Sequence, residues 1–276
     1  MRIFSKKEEG FFGGASAKNV FVMGLVVGIA IIVLVGAILL TTTASKPMNL
    51  AGDIGKTAET AKKTTDKVDA ADDTVTSYPK TDTPVVKFFV MAFCPYGQQA
   101  EAGVIPAARL LGAKANFEPH YVIYSNYQGG GPEYCLDADS KYCSMHGINE
   151  VNEDVRQMCI WRDQQDKWLS YVEKINSTCK LADIEDCWSG VAEEVGIDTE
   201  AVKTCFTNDA ETLLANEVAL NTQYKVSGSP QIFVNDTAYE GGRDAESFKQ
   251  ATCSAFNTTP EECSQNLSTE GAAASG

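Results

Sequence analysis

The stretch VVKFFVMAFCPYGQQAE, residues 85–101, runs from apolar and β-branched residues straight into Cys94 and Pro95. A thiol attacks as its thiolate, and a helix start favours an anion through its unpaired N–H groups and dipole. Proline is favoured at the first helical position, so Cys94 sits where a nucleophilic sulfur would be stabilised. The motif reads Cys94-Pro95-Tyr96-Gly97, with glycine where a second cysteine would complete Cys-x-x-Cys. In a two-cysteine site the second thiol releases the mixed disulfide. With Gly97 in its place, Cys94 can attack a disulfide, but an outside thiol must displace it: one in the substrate, a small thiol such as glutathione, or a partner protein.

The chain has nine cysteines and two histidines. If Cys94 is the odd thiol, the other eight can close four disulfides, among on the order of a hundred connectivities. Proximity suggests Cys135–Cys143, Cys179–Cys187 and Cys253–Cys263 as short loops, with Cys159–Cys205 tying helices together. Two other readings stay open: Cys94 pairs with Cys135 or Cys143, or it is buried and inert. No Cys-x-x-Cys pair is present and the spacings match no zinc ribbon or finger, so neither a metal nor a cofactor is expected. His146 reads as a histidine at a helix start, hydrogen-bonded to the backbone, and His120 as a packing residue in a strand. Tyr121, Tyr124 and Tyr127 read as an aromatic patch at the end of that strand.

Placing Cys94 requires a strand ending at it and a helix leaving it. VVKFFVMAF suits a buried strand, YGQQAEAGVIPAARLLG a helix with a kink at Pro106 and a stop at Gly112, and NFEPHYVIYSN a second strand in which Pro119 is uncomfortable. Strand, helix and strand of this size make a βαβ unit. A Gly- and Cys-containing loop over 128–149 follows, then mostly helical sequence to about residue 224: 152–179, 183–196, 198–206 and 209–226. QIFVND and TAYEGGR read as two short strands, and DAESFKQATCSAF as a last helix.

With strand-CPY-helix near one end and Ser229-Pro230 before a late strand, the chain resembles the thioredoxin superfamily, and within it the DsbA-like branch, which carries a helical domain at this point. The resemblance implies an α/β thioredoxin-like fold over 84–256 with a helical insertion at about 150–224. It also implies a cis-proline loop at Ser229 and Pro230 lying against Cys94 and pairing with substrate peptide. A narrower similarity joins CSMHGINEVNEDVRQMC, residues 143–159, to the signature of GILT-type thiol reductases. His146, Gly147, Glu150 and Cys159 keep its relative spacing, which marks His146 and Glu150 as accessory residues. Val151 and Asp154 depart from the signature's cysteine and asparagine, and one extra residue separates Cys143 from His146.

The remainder of the chain concerns location. Val20–Leu40 carries no charge or proline and as a helix would span roughly 30 Å, enough for one transmembrane anchor. A cleaved signal peptide is the competing reading, but its apolar core would be shorter. Arg2, Lys6, Lys7 and Lys18 within 1–19 place the N-terminus in the cytoplasm and the rest outside. Residues 41–83 read as a Thr/Ala-rich stalk and 257–276 as a tail. The sequons at Asn176, Asn235, Asn257 and Asn266 suit an exported chain. The net charge of −14 argues against nucleic-acid partners and anionic lipid.

These observations predict a membrane-anchored, extracytoplasmic thiol-disulfide exchange protein, isomerase- or reductase-like, acting on cysteine-containing exported proteins through Cys94. An external thiol or a membrane redox partner would recycle it. Two alternatives remain: a non-catalytic peptide-binding or chaperone module on the same fold, and an oxidoreductase in which Cys135 or Cys143 is a distant resolving thiol.

Overall fold

The computed structural model describes residues 77–269. The predicted cytoplasmic segment, the anchor at 20–40 and the stalk up to residue 76 lie outside the described residues. Among the described residues no helix is long and apolar enough to cross a membrane.

Strand β1 (Val85–Val90) is central, and helix α1 (Pro95–Leu111) follows it after a four-residue turn. Proline starts α1, alanines fill it, and Gly112 ends it at φ 51°, a left-handed value that glycine tolerates without a Cβ penalty. Strand β2 (Asn116–Tyr121) runs parallel to β1, which is the expected βαβ unit. Its Pro119 is accommodated because β2 is an edge strand, where a missing N–H costs no ladder bond. On the other side of β1 lies antiparallel β3 (Gln231–Val234), followed by β4 (Thr237–Ala238), giving the order β2-β1-β3-β4.

Between β2 and β3 come four helices: α2 (Ile148–Asp163), α3 (Gln165–Thr178), α4 (Ile184–Glu194) and α5 (Thr199–Tyr224). The stretch read as one helix over 152–179 breaks at Gln164, whose φ of −143° leaves the helical region. The two read over 198–206 and 209–226 are a single helix of 26 residues. Neither proline nor glycine interrupts them, so hydrogen bonding continues through Thr207 and Asn208. Asp198 caps α5 by accepting from the amides of Glu200 and Ala201 at 3.1 and 3.0 Å. The closing helix, α6 (Ala245–Ser254), packs against α1. Contact is close enough there that a Cβ at Gly103 would fall 2.3 Å from the Arg243 carbonyl oxygen.

Val86, Phe88 and Val90 of β1 face the main core, where Phe88 meets Trp168 at 5.9 Å between ring centroids. Phe89 and Met91 point to the opposite face and form a smaller cluster with Cys94, Val122 and Phe233. Both domain boundaries lie further out than 84 and 256. Tyr78 is buried, Thr81 exchanges backbone hydrogen bonds with Ala255 and Asn257, and Cys263 is bonded to Cys253 of α6. The ends of the predicted stalk and tail are thus packed parts of the domain.

Candidate functional site

β1 ends at Val90, and the next three amides leave the sheet ladder. A buried N–H without a partner costs about 1–3 kcal/mol, and each of these finds a side chain instead. Met91 N donates to Ser229 Oγ at 3.0 Å, Ala92 N to Asp154 Oδ1 at 3.0 Å, and Phe93 N to Glu150 Oε1 at 2.9 Å. Cys94 N then donates to Met91 O at 3.0 Å, closing the turn that delivers the sulfur to the start of α1.

Cys94 is the free cysteine among the described residues and is 6% exposed. The Ser229–Pro230 peptide is cis, and the Cys94 thiol donates to the Ser229 carbonyl at 3.5 Å. The sulfur and Ser229 are thus in direct contact. Pro95 opens α1, and Gly97 is buried against Ser229 and Met91. Tyr96 points outward, 60% exposed, with the Arg243 guanidinium 5.0 Å over its ring. From Pro230 a cleft of about 400 Å³ runs past Ile232 and Tyr239 to Arg243.

The other eight cysteines pair as Cys135–Cys143, Cys159–Cys205, Cys179–Cys187 and Cys253–Cys263. Cys135 and Cys143 are bonded to each other and not to Cys94, so either could resolve a mixed disulfide only after that bond opened.

His146 departs from its expected backbone partner. Its Nδ1 lies 2.9 and 2.8 Å from the two carboxylate oxygens of Glu150, and this hydrogen bond raises the imidazole pKa against the opposing effect of burial. Glu150 also accepts from the Ser144 hydroxyl, so the accessory pair sits directly behind Phe93. His120 is more than a packing residue. Burial opposes its charge, yet Glu118 at 3.8 Å and Glu217 at 3.2 Å outweigh that and raise it to about 9, while the ring stacks on Phe89. The tyrosine patch divides: Tyr121 is buried with its hydroxyl on Gln157, whereas Tyr124 and Tyr127 continue to Tyr134.

Two sequons are half-buried and hydrogen-bonded within the fold, and a third, exposed Asn257, donates through its Nδ2 to Asp82 at 2.8 Å. Asn176 Nδ2 donates to Glu101 at 2.6 Å, and Asn235 accepts from Val85 N while donating to the Pro79 carbonyl at 2.6 Å. Asn257 and Asn266 are exposed.

Sequence reasoning missed Asp154, Glu101 and Arg243. Burial pushes the Asp154 carboxyl well above the usual carboxylate range and Glu101 up to about 8. The signal available was the i, i+4 spacing of Glu150 and Asp154 among Val151, Val155 and Met158, which puts two acids on an apolar helix face.

Comparison with known proteins decides the family. The sequence model of the vacuolar sorting receptor thioredoxin-like domain matches residues 98–253, more than half of the chain. The chain belongs to that family of thioredoxin-like domains. The match begins immediately after Gly97, so Cys94 lies outside it. Among curated proteins, vacuolar-sorting receptor 7 of Arabidopsis thaliana is 24% identical over 181 residues, covering 54% of this chain and 29% of its own length. Vacuolar-sorting receptor 1 of Pisum sativum is 24% identical over 203 residues, covering 58% of this chain and 31% of its own. The chain thus spans about a third of the length of these relatives. Among solved structures, oxidised BdbD from Bacillus subtilis gives a TM-score of 0.45 at 15% identity, covering 63% of this chain and 89% of that one. DsbA from Pseudomonas aeruginosa gives 0.40 at 16%, covering 61% and 80%.

Proposed function

We propose that this thioredoxin-like domain is a membrane-anchored, extracytoplasmic thiol-disulfide exchange module working through Cys94 alone. The Cys94 thiolate attacks one sulfur of a disulfide in an exported protein. A new S–S bond forms, the old one breaks, and the second substrate sulfur leaves as a thiolate. Attack on the mixed disulfide by another thiol of the substrate completes an isomerisation with no net electron transfer. Attack by an external thiol or a membrane redox partner on the Cys94 sulfur instead releases the substrate as a dithiol and leaves Cys94 in a disulfide with that thiol. A second thiol from the same source breaks this bond, freeing Cys94 and leaving the external pair oxidised to a disulfide.

The observation that carries this reading is the free Cys94 thiol held against the Ser229 carbonyl at the start of α1 while eight other cysteines are in disulfides. Four disulfides suit an oxidising compartment, where such chemistry has substrates. Trapping tests it: cells expressing the full chain are acid-quenched and alkylated, and mixed disulfides are sought by non-reducing electrophoresis. Adducts with wild type that vanish in Cys94→Ser support exchange, and none under conditions that trap two-cysteine proteins would sink it.

A second reading is favoured by the family match starting beyond Gly97 and by relatives named as sorting receptors. The domain would then hold extended peptides along the cis-proline cleft without chemistry, and Cys94→Ser would leave peptide binding and cellular phenotype unchanged.

A further inference from the structure

Four successive amides, 91 to 94, fix the backbone that carries the sulfur, and two of their acceptors come from one helix of the insertion. We propose that Glu150 and Asp154 are positioning residues for Cys94, holding its backbone in the geometry of attack through the amides of Phe93 and Ala92. This rests on the exchange reading above.

The choice of residue is the first argument. A serine or an amide side chain would satisfy a buried N–H with less desolvation than a carboxyl group, yet both acceptors here are acids with 0% exposure. The second is over-determination. Glu150 is held at both oxygens, by His146 Nδ1 and the Ser144 hydroxyl, and Ser144 also reaches Met91 Sδ at 3.8 Å. Met91 in turn packs in the small cluster that contains Cys94. Glu150 is thus braced from the loop before α2 and from the turn after β1, whereas Asp154 is held through Ala92 N alone, its buried Oδ2 having no hydrogen-bond partner among the described residues. A shift of either acid moves the chain within two residues of the sulfur. A misplacement of about 1 Å can cost on the order of a hundredfold in rate.

Titratable neighbours surround the two acids from every side. Glu101 approaches from α1, Tyr121 from β2, Tyr124 and His146 from the loops, and Glu153 from α2 itself. Position and charge must therefore be separated, and the height and midpoint of a pH profile do so.

The experiment uses the full chain with its four disulfides intact and 5,5′-dithiobis(2-nitrobenzoate) as the disulfide. Cys94 displaces one coloured aryl thiolate, and its rate of release is read across the pH range at a temperature far below melting. Glu150→Ala and Asp154→Ala are expected to lower the plateau rate at least tenfold. Glu150→Gln and Asp154→Asn keep an oxygen acceptor and are expected to stay within threefold of wild type. Alanine variants that react at the wild-type plateau, or that move only the midpoint, overturn the proposal. Should they not fold, His146→Ala carries the test by loosening Glu150. A slower plateau with faster hydrogen exchange at Phe93 supports the proposal, and no change in either overturns it. A wild type that reacts with this probe yet traps no protein substrate defeats the exchange reading and leaves the positioning result standing.

Discussion

Ser229 Oγ lies 2.7 Å from the point where a side chain at Gly97 would begin, and the same oxygen accepts from the Met91 amide. The space a second thiol would need in this motif is taken by a hydroxyl that helps hold the first. The glycine at position 97 and the serine before Pro230 are therefore coupled through one oxygen atom. A dithiol here is accommodated best by changing both.

Gly97→Cys is expected to fold with a loss of about 1–3 kcal/mol, since the new Cβ crowds Ser229 Oγ and the Met91 carbonyl oxygen at 3.1 Å. That Cβ would stand 3.3 Å from Cys94 Cβ, slightly shorter than the usual disulfide spacing of about 3.5–4.5 Å. Mild oxidation should close a new disulfide, more completely in the Gly97→Cys, Ser229→Ala double variant. Thiol titration and thermal melts read both effects. Two thiols that stay free in the double variant would show that the helix start cannot bring the sulfurs together.

What the sequence made legible depended on how local the cause was. Cys94 and Pro95 declare a strand end and a helix start by adjacency, and three disulfides close short loops, so their partners lay nearby in the chain. The break at Gln164 carries no proline or glycine, and the uninterrupted α5 lacks both as well, so two opposite outcomes looked alike. Asp154 and Glu101 were invisible because an acid in a helix reads as solvated until the helices packed around it are known. The boundaries at 84 and 256 failed for a related reason: Thr81 and Asn257 meet by backbone hydrogen bonds across the whole domain, and nothing in either segment's composition announces it.

Glu101 gives the fold a pH dependence with a definite sign. Burial raises its carboxyl from 4.5 to about 8, against the Asn176 hydrogen bond that favours the charged form. Between those values the native state keeps a proton that the unfolded chain releases, so stability is fully present below pH 4.5 and declines as pH rises to about 8. The total is on the order of 5 kcal/mol. Glu101→Gln should flatten this part of the curve, with Asp154 contributing a slope of the same sign. Urea melts at mildly acidic and mildly alkaline pH measure it, and equal slopes in variant and wild type would mean that Glu101 is ionised in the folded protein.

The four sequons should divide by geometry. A glycan bonds to the side-chain nitrogen of asparagine. At half-buried Asn176 and Asn235 that atom donates to Glu101 and to the Pro79 carbonyl, whereas at exposed Asn257 it donates only to the exposed Asp82 carboxylate, a bond that water replaces at little cost. Expression through a glycosylating secretory route should give occupancy at Asn257 and Asn266 and little at the other two, as read by glycopeptide mass spectrometry. Full occupancy of Asn176 would show modification preceding the packing of α3 on α1.

Cutting the chain after Phe256, where the apolar pattern ends, should damage the domain. The cut removes Cys263 and so leaves Cys253 unpaired, and it deletes the Glu262 partner of Lys114, the Gln265 carbonyl held by Lys249 and the Leu267 amide that donates to Glu246 at 2.7 Å. Loss of a native disulfide from a small secreted domain costs about 2–5 kcal/mol. At roughly 2–4 °C per kcal/mol for a domain of this size, melting should fall by on the order of 10 °C. The truncated protein should also take up alkylating reagent at Cys253 as well as Cys94, complicating any exchange assay built on a single thiol. A chain ending near Ser268 should show neither change, and a truncation at 256 that melts with the longer chain would mean that the last turn and its disulfide only decorate α6.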